Sequence, residues 1–443
     1  MRPYRVCKKQ FNLLILFVFL IALSAPAVFS HAQTVADVQA QIDQRNSDIN
    51  QLEQEITSYQ NQLDVIGQQK NSLSSSLKEL DLNKKKLNAN IQVIENKIAN
   101  TNLTIKNLSS DIGDKQIAIS NNIDSVELDL RETNELEQGS LLEKMLSGED
   151  FSTIWKDIND LASVRDRLKN DVTDLLVTKG SLENTRQSTI DAKNKLISLE
   201  SELSDQKKIV QQNINDKNTL LKQTKNSEAN YQQLLASRLA QKEAVEKELE
   251  NYESQLQFTL NPTELPTGKV LSWPLVKIYV TQFFGKTEDA KRLYVSGSHD
   301  GVDFRASIGT PVLSMADGTV MGTGNTDLTC PGASFGKFVF IKYNDGLASA
   351  YGHLSLIKVS VGQKVSRGDV VGYSGSTGYV TGPHLHVSLY VASAVKMATM
   401  PSKACTGKIY TMPIAPLNAY LDPMVYLPPY TAKTTIYNTD QQD

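Results

Sequence analysis

Five histidines occur among the 443 residues, and four of them, His299, His353, His384 and His386, fall in the last third of the chain. Asp303 follows His299 four positions on, and His384 and His386 stand two apart in an extended apolar run. On a β-strand, residues i, i+2 and i+4 share a face, so each pair can present its side chains to one point. Two imidazoles and one carboxylate are a common catalytic zinc set that leaves a fourth position for water. Such a metal lowers the pKa of its bound water from about 15.7 to about 7 and polarises a carbonyl. Spare imidazoles can take a proton from that water, hydrogen-bond the developing oxyanion and protonate a leaving amine. A structural zinc site would use four protein ligands and no spare imidazoles, so the surplus points to chemistry.

The elements that must carry these residues are short. Runs such as Pro311-Val312-Leu313, Thr319-Val320-Met321, Phe338-Val339-Phe340-Ile341 and Asp369-Val370-Val371-Gly372 are punctuated by glycine and read as an antiparallel β domain over 271–427. The loop Gly375 to Gly382 lacks the lysine and following helix of a phosphate-binding loop, and its glycines suit close approach of a substrate strand. Cys330 and Cys405 both lie in this domain, while Cys7 lies near the N-terminus. With no C-x-x-C partner, the two are expected to form a disulfide rather than a metal site.

The first half has a different period. From Val35 to Ile112 a stripe including Ile42, Ile49, Leu63, Leu73, Leu87 and Ile105 is spaced alternately three and four, and it continues after a stutter through Ile119, Ile123 and Leu130. That spacing predicts a left-handed coiled coil, as one helix of about 100 residues and roughly 150 Å. Leu141, Leu142, Met145, Leu146, Phe151, Ile154, Trp155 and Ile158 then crowd around Gly139 and Gly148, before a second stripe runs from Leu161 to Leu256. Two similar arms around an apolar elbow predict an antiparallel hairpin at 33–257 with its tip at about 136–160; parallel pairing of two chains is the alternative. The tip reads either as a self-packed cap or as an exposed docking patch. Asn261-Pro262 and Leu265-Pro266-Thr267-Gly268 mark a linker at 258–270, and 428–443 reads as a flexible tail. The fold class is therefore α + β multidomain, a long antiparallel coiled-coil hairpin followed by an antiparallel β-sheet domain.

Arg2, Arg5, Lys8 and Lys9 precede the apolar run Phe11 to Leu23 and the small residues Ser30-His31-Ala32. This order predicts a secretory signal at 1–32, or an uncleaved anchor if Pro26 is tolerated in a membrane span. Basic and acidic side chains number 46 and 49 and are interspersed, which excludes the concentrated positive field of a nucleic-acid binder.

Three separated motifs carry a resemblance: Ser298-His299-Asp300-Gly301-Val302-Asp303-Phe304, Ala350-Tyr351-Gly352-His353-Leu354-Ser355, and Gly375 through Gly382-Pro383-His384-Leu385-His386. In this order, from about Trp273 to Leu427, they resemble the LytM/lysostaphin-type zinc endopeptidases of bacterial cell walls. The resemblance implies one zinc per chain held by His299, Asp303 and His386, His353 and His384 as the uncoordinated catalytic pair, and the peptide of peptidoglycan as substrate. The insertions at Asp327 to Phe335 and about Ala392 to Tyr410 depart from the simplest members and would border the groove. The coiled coil, with Leu141 to Phe151, resembles the EnvC-like division factors, whose peptidase-like domain has lost its metal residues and activates an amidase. That second resemblance implies an FtsEX-type membrane complex as partner, a restraining role for the coiled coil, and possible service to a cell-wall amidase. All five metal and catalytic positions are filled here, which favours an enzyme over a pure activator.

Overall fold

The computed structural model describes residues 35–67, 72–137, 150–259, 265–294, 296–380, 382–430 and 436–437. The expected signal at 1–32, the core of the apolar tip, the Asn261-Pro262 boundary and most of the tail lie outside these residues. No helix among the described residues is long and apolar enough to cross a membrane.

Four helices come first: α1 Val35–Gly67, α2 Leu73–Glu137, α3 Phe151–Thr224 and α4 Glu228–Glu253. The expectation of one uninterrupted first helix is corrected. After Gly67 the chain reverses, and α1 runs antiparallel along α2, with Arg45 donating to Asn96 (3.1 Å), Asn100 to Asn46 (2.9 Å) and Lys86 to Gln60 (2.7 Å). The new helix has its own start signal, since Ser72 Oγ caps it by accepting from the Ser75 amide. The two long arms α2 and α3 do pair antiparallel within one chain. Thr185 reaches Asp111 (2.9 Å), Arg167 reaches Glu132 (2.6 Å), and Lys217 reaches Asp81 (2.6 Å).

A second correction concerns the end of the second arm. Lys225 and Asn226 have φ of 50° and 53°, left-handed conformations that end α3. The chain then leaves the arm pair, so Val245 and Leu249, expected as coiled-coil seam, pack instead against the β domain.

In that domain the strands Val280–Gln282, Val302–Arg305, His384–Val391, Leu347–Ile357, Lys337–Tyr343 and Gly318–Asn325 lie side by side in this order in one antiparallel sheet. Alternation gives the sheet two different faces. Leu385, Val387 and Leu389 join Val302, Phe304, Val339, Ile341, Tyr351 and Trp273 in one apolar core. The opposite face carries His384, His386 and Asp303, and beside them Phe338, Phe340 and Tyr390 pack under the hairpin Lys396–Pro401/Ile409–Ile414 and under Val245 of α4.

The β domain is seated on the helices at a second place. Leu87 of α2 and Ile209 of α3 bury Ile308 and Tyr373, Gln206 donates to Gly309 O (3.0 Å), and Lys358 pairs with Asp205.

Cys330 and Cys405, 75 positions apart in sequence, are bonded, with Cα atoms 5.9 Å apart. In a chain-entropy account a loop of that length contributes about 4 kcal/mol. Cys330→Ser with Cys405→Ser is therefore expected to lower the unfolding free energy by about 2–4 kcal/mol. Thiol titration of the unreduced, unfolded protein should find neither cysteine free, and two or more free thiols would refute the bond.

Candidate metal centre

The register of three adjacent strands assembles the site. His386 stands opposite Asp303 on one side and opposite Gly352, next to His353, on the other. His299 arrives from the loop before Val302–Arg305, fixed by a bridge to Gly285. Gly301 leaves room for this, because a Cβ there would sit 2.5 Å from Val387 O and 2.7 Å from the His386 ring. Residues separated by more than eighty positions are thus brought within hydrogen-bonding distance.

Three ligand atoms converge. His386 Nδ1 lies 2.9 Å from Asp303 Oδ1 and 3.1 Å from His299 Nε2, which is itself 3.4 Å from Asp303 Oδ1. The remaining ring nitrogens are held from behind: His299 Nδ1 by Phe283 O (3.1 Å) and His386 Nε2 by Ser388 Oγ (2.8 Å). Phe283 O, which can only accept, fixes a proton on His299 Nδ1, and Ser388 Oγ steadies the His386 ring, so that His299 Nε2 and His386 Nδ1 are presented to the cluster, where a bound cation would replace the protons they share with Asp303. Two imidazoles and a carboxylate with this backing fit a divalent cation of the zinc type. Asp300 also comes near, but to the other nitrogen, 3.6 Å from His386 Nε2, and it is half exposed. Asp303, buried and closer, is the better ligand on geometry.

His353 and His384 flank the cluster with ring centroids 4.7 Å apart. Each has Nδ1 against a carbonyl, His353 against Thr377 O (2.9 Å) and His384 against Gly382 O (2.8 Å), so each carries its proton there and keeps an unprotonated Nε2, that of His384 lying 3.6 Å from Asp303 Oδ1. Burial, and for His353 the charges of His384 and His386, hold both below the usual histidine range, so both are neutral near pH 7. For Asp303 burial alone would favour the neutral acid. The neighbouring His384 ring and hydrogen bonds from His299 and His386 outweigh it and hold the carboxyl well below the usual range. His353 has φ of 60°, a strained conformation for a non-glycine residue, and its amide donates to Phe335 O (2.7 Å).

The four residues singled out by spacing and His353 from the second motif therefore share one cleft of about 450 Å³. Spacing did not reveal the residues around them. Tyr294 stacks on the His299 ring, with centroids 5.2 Å apart and planes 9° apart. Phe335, from the first insertion, lies 5.7 Å from the His386 ring. Asp327 of the same insertion accepts from the amide of Gly378 (2.9 Å) and so ties the insertion to the glycine loop. Only Ser388 had a readable signal, since it stands two past His386 and so on the same strand face.

One wall of the cleft comes from far upstream. Val245, Glu246, Leu249, Glu250 and Glu253 of α4 line it together with the histidines. Lys403 and Ala404 donate their amides to Glu248 (2.7 and 3.1 Å), next to the disulfide, and Tyr420 donates to Glu253 (2.7 Å). Lys242 is buried over the ring of Tyr379 at 3.8 Å.

Residues 297–397 match peptidase family M23. The chain is 47% identical over 93 residues to the peptidoglycan DD-endopeptidase ShyA of Vibrio cholerae, a match covering 21% of this chain and 20% of that protein. It is 37% identical over 144 residues to the cell division protein DipM of Caulobacter vibrioides, covering 32% of this chain and 22% of the other. Among solved structures, the catalytic domain of lysostaphin from Staphylococcus simulans is 35% identical over 26% of this chain and 81% of that one, with a TM-score of 0.23. The chain thus spans about a fifth of the length of the two curated relatives.

Proposed function

We propose, from the premise that residues 297–397 are a peptidase family M23 domain, that this chain is a secreted zinc metalloendopeptidase acting on the peptides of bacterial peptidoglycan, regulated through its helical arm during wall remodelling or division. The observation that carries the reading is the convergence of His299, Asp303 and His386 beside two neutral imidazoles in one cleft. One zinc would be held by His299 Nε2, His386 Nδ1 and an Asp303 oxygen, supplying an activated water and a Lewis acid for the scissile carbonyl. One of the pair His353 and His384, with Nε2 unprotonated, would take the proton of an attacking water, hydrogen-bond the oxyanion through the ring so protonated and return the proton to the leaving amine, while the other would orient the water. The DD-endopeptidase named among the relatives supports peptidoglycan as substrate. A domain that only activates an amidase has no use for metal ligands of its own, so the completeness of the site favours hydrolysis as the chain's own activity. Digestion of purified sacculi, with mass spectrometry of the fragments, tests the reading. New amino termini within the peptide should appear, and release of intact peptides from glycan, or no release, would overturn it.

Regulation is supported by the place of α4, which narrows the cleft along one side while belonging to the arm. A membrane complex of the FtsEX type that pulls on the arm would move α4 away and admit the wall peptide. The α4 seat also contains a titratable group. Burial, partly offset by the Tyr420 hydrogen bond and reinforced by the charge of Asp300, pushes the Glu253 carboxyl up to about 8 from its ordinary 4.5. The seated state therefore binds the proton more tightly than the released state. Its advantage is full below pH about 4.5 and is lost as pH rises towards about 8. A fluorescence distance between α4 and the β domain is expected to lengthen across that window in the parent chain. It should lengthen much less in Glu253→Gln, and equal profiles would remove Glu253 from the seat.

A further inference from the structure

We propose that Tyr294 and Tyr379 form an aromatic cage for a primary ammonium group of the substrate peptide, and that Lys242 of α4 fills this cage as an internal stand-in. The proposal rests on the reading of the domain as a peptidase. Lys242 Nζ lies 3.8 Å from the Tyr379 ring centroid and 5.1 Å from that of Tyr294, a geometry in which ring faces attract a cation. The side chain is 2% exposed, and burial holds its ammonium below the ordinary lysine range. Glu246, one turn along the same helix, stands 3.3 Å away and counters that penalty. When α4 leaves, Lys242 and Glu246 leave together, and the two ring faces remain with the β domain.

Tyr294 also stacks on His299, so the cage adjoins the metal cluster. Ring contacts of 5.1 and 5.2 Å separate the ammonium from that ligand, and at roughly 3.3 Å per extended residue the cation sits within about three residues of the scissile bond. A peptide whose side chain ends in a primary amine near the cut would meet this requirement. An uncharged or acidic side chain would leave the rings with no partner for their quadrupole. A cage worth about 1–2 kcal/mol on a desolvated cation corresponds to roughly a five- to thirtyfold preference.

The test uses the full chain with Val245→Asp to free the cleft, and two preparations of sacculi, one native and one with its free amines acetylated by acetic anhydride. The apparent KM is expected to be at least fivefold higher on the acetylated wall, with kcat little changed. Tyr379→Leu should raise the KM on native wall to the acetylated level, while Tyr379→Phe, which keeps the ring face, should retain the preference. Lys242→Ala is a second way to free the cage should Val245→Asp not fold. Equal KM on the two walls, or a preference that survives Tyr379→Leu, would overturn the cage and leave the peptidase reading standing. No cleavage of either wall would overturn both.

Discussion

His353→Ala and His384→Ala are each expected to keep one zinc per chain and to lower wall hydrolysis by about 10²-fold or more, the scale of a lost acid–base or oxyanion group. His386→Ala is expected to lose the metal. The division follows from which nitrogens converge. His386 Nδ1, His299 Nε2 and Asp303 Oδ1 lie within 2.9–3.4 Å of one another, whereas His384 comes only to 3.6 Å of the same oxygen, through Nε2. The lost imidazole in His386→Ala also releases Ser388, so neither a ligand nor its backing hydrogen bond survives. Metal analysis alongside digestion of sacculi separates the two classes. Zinc retained in His386→Ala, or lost in His353→Ala, would show that the histidines divide otherwise. A fall in zinc and in thermal stability together in every variant would point to a structural site.

Val245→Asp in the full chain is expected to raise hydrolysis at least tenfold. The Val245 side chain is fully buried against Cys330, Phe335, Phe338, Tyr410 and Met412, so seating α4 stabilises it by about 1.5–3 kcal/mol on its own. A carboxylate in that position would have to enter the apolar seat unpaired, a cost of several kcal/mol, and each 1.4 kcal/mol shifts the seated-to-released ratio tenfold. The penalty falls on the seated state alone, since the released helix exposes the residue to water. Because the second seat at Leu87, Ile209, Ile308 and Tyr373 is untouched, the β domain should remain joined to the arms. Ile197→Asp, on a surface already 65% exposed, is the control and should change little. Equal rates for Val245→Asp and the parent chain, with α4 shown by proteolysis to be released, would mean that the helix does not restrain the cleft.

The legible part of this protein is the part encoded in local spacing. Period-two alternation placed His384 and His386 on one strand face, and the 3-4 stripe predicted the long arms, because side-chain direction follows directly from backbone repeat. The reversal after Gly67 was not read, since a polar position such as Lys70 also occurs inside continuous coils and the stripe resumes in phase at Leu73. The departure of α4 was hidden for a similar reason. Val245 and Leu249 have the same spacing whether they face a partner helix or a sheet, and a hydrophobic stripe does not name its partner.

By itself, then, the sequence determined the two periods, the order of helical and β segments, and the candidate pairs His299/Asp303 and His384/His386, because each is a matter of residue type and short separation, while His353 entered through the motif resemblance. Tertiary structure alone decided which nitrogen of each histidine is held by Phe283 O, Ser388, Thr377 O and Gly382 O, and that Asp303 meets His386 Nδ1 while Asp300 approaches Nε2. It also decided that a helix ending at Glu253 lies along the cleft and sends Lys242 between two tyrosines. Those outcomes depend on ring orientation and on packing between residues from two to more than a hundred positions apart, where burial and geometry select one arrangement from many that the local pattern permits.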